Sequence, residues 1–113
     1  MKQKEIWWLN LDPTEGAEIR KKRPCVIVSD DSMGILPLKI IVPITDFKTR
    51  YASIPWMVVL KADSINQLTK DSVIDVFQIR CVSEARFISK IGTITDLQLD
   101  AIKKALKVVF NLT

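Results

Sequence analysis

Two apolar runs flanking a polar, cation-rich loop constrain this chain more than any other feature, because together they specify strand, loop and strand within Glu5 to Ser29. From Glu5 to Leu11 the pattern alternates. Ile6, Trp8 and Asn10 fall on one side and Trp7, Leu9 and Leu11 on the other, the period of a strand with one face buried. Asp12-Pro13 ends it: proline lacks an amide donor and drives the residue before it into extended or turn geometry, and Gly16 lets the loop bend back. Pro24 opens the second run. Cys25 to Val28 is apolar throughout and β-branched at three of four positions, as in a strand covered on both faces. Between the strands lies Thr14 to Arg23, where Arg20, Lys21, Lys22 and Arg23 stand beside Glu15 and Glu18.

The rest of the chain reads as more short strands and one helix. Asp30 to Gly34 carries turn formers, and Leu38 to Val42 is expected as a third strand stopped by Pro43, with Ile44, Thr45 and Asp46 leading into a polar connection. Trp56 to Leu60 forms a short apolar strand, and Ala62 to Lys70 is turn-like, with Ile65 and Leu68 spaced for one brief helical turn. Ser72 to Val82 mixes β-branched residues with Asp75, Gln78 and Arg80, which fits a strand or a bent pair. Ser83 to Ser89 is expected as a short helix and Lys90 to Ile94 as a brief strand or turn. Thr95 followed by Gln98 matches a capping box, and Leu99, Ile102, Leu106 and Phe110 recur at helical spacing. That predicts a helix over Asp96–Phe110, with its lysines late, where they suit the negative end of its dipole. The fold class is therefore mainly β, a small antiparallel barrel or curled sheet with a C-terminal helix against it.

At 113 residues and 48% hydrophobic content, residues 1–113 are expected to form one domain with a core of its own. No uninterrupted apolar stretch of about 18 residues and no leader pattern is visible, which leaves a cytoplasmic expectation. Cys25 and Cys81 lie in apolar runs without Cys-x-x-Cys or histidine neighbours and read as buried thiols rather than metal ligands or a disulfide. A net charge of +4 fits either an anionic partner or plain solubility. Charge placement says more: Arg20 to Arg23 form a local basic focus, while Lys103, Lys104 and Lys107 decorate a helix face. The chain has no histidine, which removes Ser-His-Asp and Cys-His catalysis, histidine-bound metals and two-histidine ribonucleotide cleavage.

Within the loop, Arg23 precedes a fixed strand and can grip a phosphate, since its planar fork donates parallel hydrogen bonds and stays charged at any working pH. It can equally pair with Glu18 or Asp12 and only close the loop. Thr45, just past a strand end, can serve a turn through its hydroxyl or serve a site. Trp7, Trp8 and Trp56 can pack in a core or interface or stack on bases, with Trp56 the most open to either role.

The order Ile6-Trp7, Leu11-Asp12-Pro13, Gly16-x-Glu18, Arg23-Pro24, a strand ending Val28-Ser29, and Val42-Pro43-Ile44-Thr45 resembles the MazF/PemK family of bacterial toxins. The resemblance continues through Gln78-Ile79-Arg80 and Ile91-Gly92-Thr93 to the terminal helix. It implies an SH3-like barrel, usually homodimeric, and the sequence-specific endoribonuclease toxin of a type II toxin–antitoxin pair, acting on single-stranded RNA. By resemblance Arg23 and Thr45 fall on the family's principal catalytic residues and Glu18 on a glutamate implicated in activity, while Arg20, Lys21, Lys22, Asp46, Gln78 and Arg80 are expected to contact RNA. The implied reaction is metal-independent, with no cofactor: the ribose 2′-hydroxyl attacks the adjacent phosphate and leaves a 2′,3′-cyclic phosphate and a 5′-hydroxyl. An acidic antitoxin tail is the implied protein partner. One departure affects the chemistry. Where several members carry an acidic residue, proposed as general base in one branch, this chain has Phe77, so Glu18 is the first replacement and Asp46 the second. The same architecture also hosts a toxin that inhibits DNA gyrase without catalysis, which is the alternative reading.

Overall fold

The structure, a computed structural model, describes residues 1–112 and consists of seven strands in one antiparallel system followed by a single helix. The strands are β1 (Glu5–Asn10), β2 (Lys22–Ile27), β3 (Leu38–Asp46), β4 (Met57–Leu60), β5 (Ser72–Asp75), β6 (Arg80–Ser83) and β7 (Phe87–Thr93). Their order is β4-β5-β3-β2-β1-β7, with β6 paired to β3. The edges β4 and β7 do not pair, so the sheet curls without closing into a barrel. Helix α1 (Asp96–Phe110) has the expected bounds. Thr95 caps it, its hydroxyl accepting from the Gln98 amide while the Gln98 side chain accepts from the Thr95 amide, and Asn111 ends it in a left-handed conformation at φ 54°.

Two apolar clusters occupy opposite faces of the curled sheet. Ile6, Val26, Val42, Ile44, Leu60 and Ile74 pack with Leu99, Ile102 and Ala105 of α1. Leu9, Leu11, Cys25, Ile27, Ile41 and Val82 form the second, closed over by Trp7, Ile19 and Phe87. Strand β1 is therefore buried on both faces rather than one, because Ile6 packs into the first cluster and Leu9 into the second. Each of the larger residues contributes about 1.5–3 kcal/mol by leaving water.

Several expectations change. Pro43 does not stop β3, which runs on to Asp46. On one edge β3 pairs with β6 through Leu38 to Ile41 and then with β5 through Ile44 to Asp46, so Pro43 falls in the gap between partners, where no ladder requires its amide. Thr45 consequently sits within the strand, opposite Val73. Likewise Pro24 lies inside β2, which begins at Lys22. Cys81 is exposed, whereas Cys25 is buried and its thiol is pushed up to about 12 by burial. The reason is alternation on a four-residue strand: Val82 points into the second cluster and Cys81 points out. Ser83 to Ser89 yields only a 3₁₀ turn at Glu84–Arg86 before β7 begins, and Phe110 on α1 is exposed.

Candidate active site

The loop between β1 and β2 is held down by residues distant in sequence. Gln78 accepts from the Ile19 amide at 2.7 Å and donates to the Ala17 carbonyl at 3.2 Å. Arg80 donates to the Leu11 carbonyl at 2.9 Å, and Arg86 donates to the Asp12 carbonyl at 2.6 Å. Within the loop, Asp12 accepts from the Lys21 amide at 3.2 Å and Glu18 accepts from the Glu15 amide at 2.7 Å. Both Gln78 and Arg80 thus spend hydrogen-bonding capacity on the loop itself.

Two concavities share β3 as a wall, and the folded loop borders the larger of them. A cleft of about 220 Å³ is lined by Lys22, Arg23 and Pro24 of β2, by Ile44, Thr45 and Asp46 of β3, and by Trp8, Leu68, Thr69, Lys70 and Ser72. Arg23 and Thr45 meet here for a reason of register. Strand β2 pairs with β3 through Cys25↔Pro43 and Ile27↔Ile41, and one further step of two residues sets position 23 against position 45. Arg23 forms no ion pair among the described residues; its Nε donates to the Arg20 carbonyl at 3.2 Å. The expected alternative of a pair with Glu18 or Asp12 is therefore not what holds it. Asp46 pairs with Lys70 at 3.0 Å, which leaves Lys22 and Arg23 as the unpaired cations of this cleft.

A larger cleft, about 540 Å³, opens where β3 exchanges β6 for β5 and the chain bends through a 3₁₀ turn at Val76–Gln78. Glu18, Gln78 and Arg80 line it together with Trp56, Phe77 and Asp75. Glu18 is thus not brought together with Arg23 and Thr45. Arg20 and Lys21 line neither cleft and are exposed. Among the described residues no three His, Cys, Asp or Glu side chains gather as metal ligands.

The family model for PemK-like, MazF-like toxins of type II toxin–antitoxin systems matches residues 2–110. The chain belongs to this family. A curated relative from Mycobacterium tuberculosis, "Endoribonuclease MazF9", is 30% identical, the alignment covering 99% of this chain and 98% of that one. MazF from Deinococcus radiodurans, in a solved structure, superposes with a TM-score of 0.81 at 20% identity, over 98% of this chain and 96% of the other. A mycobacterial endoribonuclease solved with its cognate antitoxin superposes at 0.78 and 18% identity, over 100% and 97%.

In this MazF-like toxin, sequence reasoning passed over one feature of the larger cleft. Asp75 is 8% exposed, its Oδ1 has no hydrogen-bond partner among the described residues, and burial raises its carboxyl above the ordinary range. The amides of Phe77 and Gln78 offset that in part, yet no side-chain cap is formed. Beside it Trp56 and Phe77 make an edge-to-face pair, centroids 5.3 Å apart at 84°. A lone Asp in a β-branched run was the available signal, but only the fold shows that it is orphaned.

Proposed function

We propose that this chain is an endoribonuclease toxin that cuts single-stranded RNA with the smaller cleft as its reaction centre. The observation that carries the reading is the shared placement of an unpaired Arg23 and of Thr45 on neighbouring strands, beside Lys22 and Lys70. In the reaction the 2′-oxygen forms a bond to phosphorus while the bond from phosphorus to the 5′-oxygen breaks, giving a 2′,3′-cyclic phosphate and a 5′-hydroxyl. Charge builds on the non-bridging oxygens, and the Arg23 fork meets it with two parallel donors while the Thr45 hydroxyl orients one oxygen. Asp46 is the carboxylate that shares the cleft, so it takes the 2′-proton, and solvent returns one to the departing 5′-oxygen. Glu18 then serves the path of the RNA along the neighbouring cleft rather than proton transfer. No step calls for a metal or cofactor. The active species is a homodimer, and an acidic antitoxin segment neutralises it by occupying the basic cleft.

The test is incubation of purified, antitoxin-free protein with a long single-stranded RNA in EDTA, beside the Arg23→Ala variant, with the fragment ends mapped. Discrete cuts bearing 5′-hydroxyls, lost in the variant, are expected. Wild-type rates in a folded Arg23→Ala would overturn the assignment, and unchanged toxicity without cleavage would favour a protein target.

A further inference from the structure

The larger cleft has the furnishing of a base pocket rather than of a reaction centre. Its walls are apolar, with Leu11, Ile19, Ile41 and Pro43 around the perpendicular Trp56–Phe77 pair. Such a corner lets a flat ring lie on one aromatic face while its edge abuts the other, the arrangement by which aromatic side chains hold unpaired bases. The polar groups that line it are unequal. Gln78 and Arg80 are tied to loop carbonyls and amides, and Glu18 is exposed and accepts from the Glu15 amide. Asp75 alone is buried with an orphaned oxygen, a costly state that is relieved when a donor arrives.

We propose that this cleft is the subsite for one unpaired guanine of the RNA, stacked at Trp56 and Phe77 and held through its N1–H and 2-amino donors by the Asp75 carboxylate. The inference rests on the ribonuclease reading. Guanine follows from chemistry: it alone among the four bases sets two N–H donors side by side on its Watson–Crick edge, and a carboxylate offers two acceptors. Adenine, cytosine and uracil each place an acceptor against one of those oxygens. Position also fits. Asp75 pairs with Met57 of β4, next to Trp56, and the β3–β5 register continued by one residue sets it against Pro43, two residues from Thr45. That is about 7 Å along the strand, so a base held here and a phosphate held at Arg23 belong to adjacent units of one RNA.

The experiment compares cut-site maps of wild type, Asp75→Asn and Trp56→Ala on one long single-stranded RNA, and then cleavage of a short oligonucleotide carrying guanine or inosine, which lacks the 2-amino donor. Wild type should demand guanine at one fixed position near the cut and lose about 10-fold or more with inosine. Asp75→Asn should cut guanine and inosine substrates alike and accept other bases there, whereas Trp56→Ala should slow all sites about 10- to 100-fold. The inosine arm needs no variant, so misfolding cannot mimic the result. A wild-type map without a fixed guanine, or an Asp75→Asn map identical to wild type, overturns the pocket. If wild type cuts no RNA, the ribonuclease reading fails separately, and guanosine monophosphate titrations decide the pocket. Tryptophan quenching lost in Trp56→Phe and weaker with inosine monophosphate supports it; equal quenching by both nucleotides overturns it.

Discussion

The two clefts that lie along β3 differ in kind. The smaller gathers Lys22, Arg23 and Lys70 around one carboxylate, and the larger gathers aromatic, proline and isoleucine surface around a buried one. A group of cations suits the RNA backbone, which is the same in every nucleotide; an aromatic corner with one buried acceptor suits a base, which is not. The larger opens where β3 exchanges β6 for β5 around Val42 and Pro43, and the smaller lies further along the same strand, between β2 and the segment before β5. The division teaches that rate and sequence preference should separate under mutation.

The sharpest break is Arg23→Ala. Losing the guanidinium should lower cleavage about 10³-fold or more at every site without altering which sites are cut, while Thr45→Ala should cost about 10- to 100-fold. Initial rates on one RNA, with circular dichroism as the fold control, check this. A change of cut sites in Arg23→Ala would erase the division.

Two carboxylates sharpen the contrast next. Glu5 lies outside both clefts and is fully engaged: burial alone would raise it, but donors from Trp7 and the Lys2 amide, with Lys90 at 3.2 Å, bring it down to about 2. Its folded value is below its unfolded one, so its stabilisation is present above about pH 4.5 and is lost as pH falls towards 2. Glu5→Gln should therefore cost about 2 kcal/mol at neutral pH and nothing near pH 2, read from urea midpoints. Asp75 is shifted the other way, so its charge penalises the fold as pH rises above 3.8. Asp75→Asn should raise the neutral midpoint, and the gain should vanish in acid. A group that weakens the free fold is what a ligand-binding role leaves behind.

How far this was legible in the chain depends on locality. Helix α1 was, because its cap, period and end lie within seventeen residues, Thr95 to Asn111. So was the strand–loop–strand beginning. Pro43 misled because its tolerance depends on which strands flank β3, and Cys81 because a short edge strand has an outer face that apolar composition conceals. Arg23 and Thr45 stood out only through the family resemblance, since a loop-closing arginine and a turn-serving threonine fit the chain as well, and the missing histidine narrowed the chemistry without placing it. The split of the site was not, since Glu18 reaches the larger cleft only when Gln78, about sixty residues away, pins the loop.

That pin gives the third prediction. Gln78→Ala removes two loop hydrogen bonds and should cost about 1–2 kcal/mol of stability, with faster proteolysis between Thr14 and Lys21. Because the loop borders the larger cleft, KM should rise more than kcat falls. An equal loss in both would mean the loop serves the reaction centre instead.

The smallest effect concerns Lys22 and Lys70, which line the smaller cleft without the anchoring of Arg23. Each phosphate neutralised on a single strand contributes about 0.7 to the slope of log affinity against log salt. Lys22→Ala should flatten that slope by about this amount, with uniform weakening across RNA sequences. Lys70→Ala should do less, because its charge is already shared with Asp46 at 3.0 Å, and it should also release Asp46 as a repulsive charge beside the phosphate. The double variant Lys70→Ala with Asp46→Asn should therefore bind better than Lys70→Ala alone yet cleave more slowly, since the proton acceptor is gone. Fluorescence anisotropy across a salt series, beside single-turnover rates, separates these. If Trp56→Ala changed the salt slope as much as Lys22→Ala does, the larger cleft would be gripping phosphate, and the assignment of backbone to one cleft and base to the other would fall.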